Sequence, residues 1–272
     1  MPSRLDLTAA LAELPVNSAA AAVIGPEGII NISDTGERYN WASVTKIVSA
    51  CTILDACMEG LVSLNDPLGP EGSTLGHLLA HTSGYTFDST KTIAKPGIHR
   101  VYSNINTDVA AQHLAEVTGT SFTEHVHDRV LDLLDMDGAR LEGPASRGMT
   151  STISDLATLA AELLTPKLLL PEVVRLASTP TYPELDGVLP GFGRQRPNLW
   201  GYGCEIRGHK TPHWTAPGNS PSTFGHFGMS GSFCWIDPDA QLGCVFLCDR
   251  DFGTWASDSW PSFSQKVLDA YA

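Results

Sequence analysis

Ser43 and Lys46 stand three residues apart in the stretch Trp41-Ala42-Ser43-Val44-Thr45-Lys46. An apolar-periodic run follows at once (Val44, Ile47, Val48, Cys51, Leu54, Cys57, Met58), and that spacing predicts a helix. On a helix, positions i and i+3 share a face, so the hydroxyl and the amine would sit side by side at the N-terminus. Free backbone N–H groups and the helix dipole favour negative charge developing there. A serine so placed has a proton acceptor beside it and an oxyanion donor beneath it. A serine that merely caps a helix shows the same pattern, so the reading depends on what the rest of the chain supplies.

Three further stretches bear on it. Tyr102-Ser103-Asn104 lies between a loop and a helical pattern. A phenol acts as a base only if its pKa of about 10 is lowered, and an adjacent cation such as Lys46 would lower it. Asn104 could orient Lys46 or donate to a substrate carbonyl. Gly225-His226-Phe227-Gly228-Met229-Ser230-Gly231 stands directly before a strand pattern, and its glycines permit close backbone approach. The N–H of Met229 is a candidate second oxyanion donor, opposite that of Ser43. His81-Thr82-Ser83-Gly84 reads as a structural helix end, with His81 near the last carbonyls and Gly84 left-handed. No C-x-x-C or H-E-x-x-H occurs, and His125 and His127 fall on opposite sides of a helix, so neither a metal nor another cofactor is expected.

The elements that must position these groups follow from periodicity. Residues 3–14 predict a short amphipathic helix capped by Ser3; Ala19–Gly25 and Gly28–Ser33 predict a hairpin. The Ser43 helix stops at Gly60. Further helices are expected at Leu75–Ala80 (capped by Thr74), about 106–118, Phe122–Val130 with Leu131–Leu134, Ser154–Leu164 (capped by Ser154) and Pro171–Ser178. Residues 85–100 and 179–200 read as loops. Then the pattern alternates: Tyr202–Arg207, Ser232–Asp237 and Leu242–Asp249 predict strands, with a turn at Asp237-Pro238-Asp239, and Trp260–Ala272 closes as a helix. Strands come from both ends and helices from the middle. The expected fold is therefore α+β: one domain over 1–272, an antiparallel sheet built from both chain ends (1–60 and 179–272), flanked by helices, with a helical subdomain inserted at 61–178.

The 272 residues are 42% hydrophobic and 17% charged, ordinary for a globular chain that buries a large core. A net charge of −13 argues against nucleic acid or an anionic membrane as partner. No secretory signal and no membrane-length apolar run is visible, so a cytoplasmic location is expected. The six cysteines read as buried free thiols. The oligomeric state is not set by any of this.

Taken in order, Ser43-x-x-Lys46, the stretch LLAHTSG (Leu78–Gly84), Tyr102-x-Asn104 and His226-x-Gly228 before a strand resemble the serine β-lactamase and penicillin-binding-protein superfamily. The nearest branch is that of class C β-lactamases with their esterase and D-peptidase relatives. Supporting stretches are EGLVSLNDPL (59–68), LAEVTGTSFTEHV (114–126), STISDLATLAAELL (151–164) and GHFGMSGSFCWIDPDAQLGCVFLCD (225–249), nearly the whole chain in family order. The resemblance implies a hydrolase of a small-molecule acyl substrate. Ser43 would form an acyl-enzyme, Lys46 and Tyr102 would share the base work, and water activated near Tyr102 would release the acyl group. Asn104 would face the substrate carbonyl, with His226 and Gly228 on the opposite wall. The chain departs from lactam-specialised members in carrying His226-Phe227-Gly228 where they have Lys-Thr-Gly. A histidine is largely neutral near pH 7, which favours esters or peptides over β-lactams. A true β-lactamase or D-Ala peptidase would need another cation, with Arg100, Arg194, Arg196 and Lys210 as candidates. A non-catalytic binding module on the same fold is the remaining alternative.

Overall fold

Apolar residues run almost unbroken through several strands because the sheet that contains them is covered on both faces. In the computed structural model, which describes residues 5–272, β1 (Ala19–Gly25) sends Ala20, Ala22 and Ile24 into one core and Ala21 and Val23 into another. This is the period-two alternation of a strand, with both sets buried. β2 (Gly28–Ser33) pairs with β1 as the hairpin expected. β3 (Tyr39–Asn40), β4 (Arg140–Leu141) and β5 (Met149–Ser151) form a small separate sheet, and β6 (Gly187–Leu189) and β7 (Gly193–Gln195) a lone hairpin. β8 (Glu205–Ile206), β9 (Phe224–Gly228), β10 (Ser232–Asp237) and β11 (Leu242–Cys248) complete the main sheet. Its order is β2-β1-β11-β10-β9-β8, antiparallel at every pairing. Strands from both ends of the chain thus meet at β1 and β11, as the α+β reading requires.

Helices α1 (Leu7–Ala12) and α8 (Thr254–Tyr271) contribute Leu7, Leu11, Trp260, Phe263 and Val267 to the core on one face. On the other lie α2 (Thr45–Met58), α3 (Leu75–Leu79), α4 (Asn104–Thr118), α5 (Phe122–Val126), α6 (Ile153–Leu164) and α7 (Pro171–Ser178). α6 packs on β1, β10 and β11, whereas α2 is wrapped by α4, α5 and α7. α2 is buried nearly all round, as expected of a helix apolar on every side.

Several boundaries differ from the expectation. Ser3 lies outside the described residues; Asp6 caps α1, accepting from the Ala9 N–H at 3.0 Å. Thr152, not Ser154, caps α6, because Asp155 completes a reciprocal capping box with it. The helix beginning at Phe122 passes into a π turn over His127–Leu131. Tyr202–Arg207 narrows to the two residues of β8, and β6 and β7 form within the segment 179–200. The glycine-rich stretch around His226 is itself a strand, β9, paired to β10 with His226 opposite Cys234. Local propensity read it as a lead-in to a strand; the ladder to β10 overrides that preference.

Candidate active site

Ser43 sits in a single 3₁₀ turn, Ala42–Val44, from which α2 continues. Ala42 before it has φ of 43°, a left-handed conformation that costs energy for a residue with a Cβ. Surrounding contacts hold it there. The Asn40 side chain accepts from the Ala42 N–H at 2.8 Å, and Ser230 and Ser232 donate to the carbonyls of Asn40 and Trp41 at 2.6 and 2.7 Å. Gly228 on β9 comes so close that a Cβ there would collide with the Trp41 carbonyl oxygen. The glycine of His-x-Gly thus lets the strand edge lie against the turn that presents Ser43.

Lys46, the second residue of α2, is 1% exposed and bonds only neutral oxygens among the described residues. Its Nζ donates to Asn104 Oδ1 at 2.7 Å and to the Ser146 carbonyl at 2.9 Å, and lies 3.2 Å from Ser43 Oγ. The orientation of the Asn104 amide is fixed from behind. Asn104 Nδ2 donates to Asp88 at 2.8 Å, and a carboxylate there takes only the NH₂ end. The Ser146 carbonyl is held in place by Ser49 Oγ, which donates to Ala145 O at 2.6 Å, and by Asp108, which accepts from the Ser146 N–H at 2.8 Å. Burial, against the partial pull of Asp108, lowers the Lys46 pKa to about 7.

Tyr102 reaches the same point from the start of α4, donating its hydroxyl to Ser43 Oγ at 2.8 Å. The Lys46 ammonium position is 5.0 Å from the Tyr102 ring centre. The expectation that Lys46 would depress the phenol pKa is overturned: burial raises it, and the hydrogen bond to Ser43 only partly offsets this. A lysine that is itself half deprotonated near neutral pH is a weak counter-charge. The phenol therefore holds its proton. His81, read as structural, lies with its ring 4.8 Å from that of Tyr102, and Trp200 lies 5.6 Å away. His81 Nδ1 accepts from the Ser103 N–H, and its carbonyl from the Val101 N–H, so this residue pins both flanks of Tyr102.

His226 closes the opposite side, its ring 5.6 Å from Tyr102 and 5.4 Å from Trp200. Its Nδ1 is 2.6 Å from the Phe227 carbonyl, which only accepts, so the proton is on Nδ1. Burial first, then Lys46, depresses its pKa to about 3, so the ring is neutral, as expected for residue 226. Ser43, Tyr102, Trp200, Glu205, His226 and Met229 border a small cavity of about 50 Å³. Met229 lines it with a half-exposed side chain, and its carbonyl accepts from the Phe252 N–H. Asn104 faces Lys46 with one end of its amide and Asp88 with the other.

The candidate cations are otherwise engaged. Arg100 is buried and donates to the carbonyls of Ala80, Asn198, Thr181 and Tyr182. Lys210 is buried against Glu205, whose carboxylate also meets His213 Nε2 and accepts from Trp214 Nε1, each at 3.0 Å. Arg194 and Arg196 both lie on Asp186. Asp88 and Ser146 went unnoticed in the sequence, the first an exposed loop acid and the second contributing only a carbonyl. Glu205 did leave a signal: an acid within an apolar, strand-like run. Among the described residues no cluster of His, Cys, Asp or Glu could hold a metal ion, and no helix is long and apolar enough to cross a membrane.

A family model described as Beta-lactamase matches residues 8–264. The chain superposes on the crystal structure of a beta-lactamase from Mycobacterium bovis with a TM-score of 0.95 and 47% identity, covering 97% of this chain and 98% of that one. A D-stereospecific amidohydrolase from a Streptomyces species shares the fold at a TM-score of 0.72 and 21% identity, over 97% of this chain and 95% of that one. Protein flp of Staphylococcus aureus is 29% identical over 134 residues, 36% of this chain but only 27% of that protein's length. The match over nearly all of its length shows that the chain belongs to the beta-lactamase family.

Proposed function

We propose that this member of the family is a serine hydrolase that cleaves small esters or amides through an acyl-enzyme on Ser43. The observation that carries the reading is the hydrogen-bond inventory of Lys46. A neutral amine has two N–H donors and one lone pair. Asn104 Oδ1 and the Ser146 carbonyl take both donors, which leaves the lone pair for the Ser43 hydroxyl. Lys46 is then the base that receives the Ser43 proton as Oγ attacks the substrate carbonyl. Tyr102, protonated and bonded to Oγ, hands its proton to the leaving atom and recovers one from Lys46. Hydrolysis of the acyl-enzyme runs the relay in reverse: Tyr102 passes its proton to Lys46 and takes one from the attacking water, and Lys46 returns its proton to Ser43 Oγ as the acyl bond breaks. The N–H groups of Ser43 and Met229 are the proposed oxyanion donors.

A fluorophosphonate should add covalently to the Ser43 peptide, read by mass spectrometry, and Ser43→Ala should lose p-nitrophenyl acetate hydrolysis by about 10³-fold or more. An unlabelled native enzyme, or an active Ser43→Ala, overturns the reading. The name of the Mycobacterium bovis relative favours a β-lactam as the alternative acyl substrate. Against it stand the neutral His226 and the engaged Arg100 and Lys210, which leave a substrate carboxylate without a buried cation. Nitrocefin turnover exceeding ester turnover would support that second reading.

A further inference from the structure

A larger open groove of about 640 Å³ lies beside the Ser43 chamber, with Phe87, Ile93, Ala94, Val101, Val188 and Pro190 in its walls. Phe87, Tyr102 and Pro190 line both, so the two spaces adjoin. Ile93, Val188 and Phe87 are exposed at 68%, 59% and 48%, although each is large and apolar. Exposed apolar side chains gathered around a concavity that leads to a nucleophile mark a binding surface. The walls come from distant segments, the loop 85–100 and the β6–β7 hairpin. They are held together where the Arg100 N–H donates to the Asp186 carbonyl at 3.0 Å.

The charges that border the groove all have partners. Arg100 is spent on four carbonyls, and Arg194 and Arg196 share Asp186 with His99. A substrate carboxylate would have to share those guanidinium groups with Asp186, whereas an uncharged chain can rest on Phe87, Ile93 and Val188. We propose that this groove binds an uncharged alkyl or aryl group of the substrate, from either the acyl or the alcohol half of the ester. This rests on the reading of Ser43 as the nucleophile and names the substrate class of that site.

The test is kcat/KM for two series, p-nitrophenyl alkanoates from acetate to octanoate and alkyl acetates from methyl to octyl. Each methylene buried in the groove should add up to about fourfold, and the series that rises identifies the half bound there. The double variant Ile93→Asp/Val188→Asp, at two exposed positions that folding tolerates, should flatten the rise. Val117→Asp, on the exposed face of α4, should keep it. Turnover of acetate with no rise in either series overturns the groove alone, as does a rise that survives the double variant. Faster reaction of a chain ending in carboxylate than of its uncharged equal in length also overturns it. No turnover of any ester together with no adduct on Ser43 sinks the hydrolase reading and the groove with it.

Discussion

Lys46 and Lys210 are almost equally withdrawn from solvent, at 1% and 3% exposed, yet their partners differ in kind. Lys210 lies against the Glu205 carboxylate and also donates to the carbonyls of Leu199 and Ile206. Burial opposes the charge on Glu205, but His213 and Lys210 outweigh it and hold that carboxyl well below the usual range. Burial lowers Lys210 only to about 8, so the pair stays ionic at neutral pH. Every hydrogen of that ammonium is used, and the cluster can only hold β8 and the loop after it in place. Lys46 has two neutral acceptors and a serine instead. Removing the carboxylate from a buried lysine's surroundings turns a structural ion pair into a base.

Lys46→Met should cut kcat/KM for p-nitrophenyl acetate by on the order of 10³-fold while leaving the protein folded, read by steady-state kinetics and circular dichroism. Glu205→Gln should act on the fold instead. It removes the carboxylate that Lys210, His213 and Trp214 share in the interior, at a cost of about 3–5 kcal/mol, which lowers Tm by on the order of 10 °C in a calorimetric scan. A Tm unchanged by Glu205→Gln would remove the distinction between the two lysines. Asn104→Asp has a subtler outcome, because it gives Lys46 the partner that Lys210 has. With Lys46 as the proposed base the neutral amine is the active form, so kcat/KM of the native protein should rise with pH through about 7. With a carboxylate at 104 the ammonium is stabilised, and the rising limb should move up by about 1–3 pH units. A limb that stays put would show that Lys46 is not the titrating base.

The resemblance on Ser43-x-x-Lys46, Tyr102-x-Asn104 and His226-x-Gly228 located the groups that converge, because a helix spacing and three short motifs survive in one dimension. The sheet was legible for a similar reason: β1, β10 and β11 are long apolar runs whose identity does not depend on their neighbours. β9 was not, since three of the residues in Gly225–Gly228 and the adjoining turn are glycines, and only pairing with β10 makes a strand of them. Asp88 and Ser146 were invisible because each acts through an atom or a position that any loop residue can offer. The phenol of Tyr102 was misjudged for want of a quantity that no motif carries, the depth of burial around it.

What the order of residues determined by itself was which chemical groups exist and which helix or strand each would ride on, because periodicity and capping are local. Only the tertiary structure decided their protonation. The enclosure of Lys46 by Asn104, Ser146 and Tyr102, and the direction in which Asn104 is turned by Asp88, depend on contacts between segments some 16 to 100 residues apart. Desolvation is a property of that assembled surround, and it lowers the pKa of the Lys46 amine beside Ser43 to about 7.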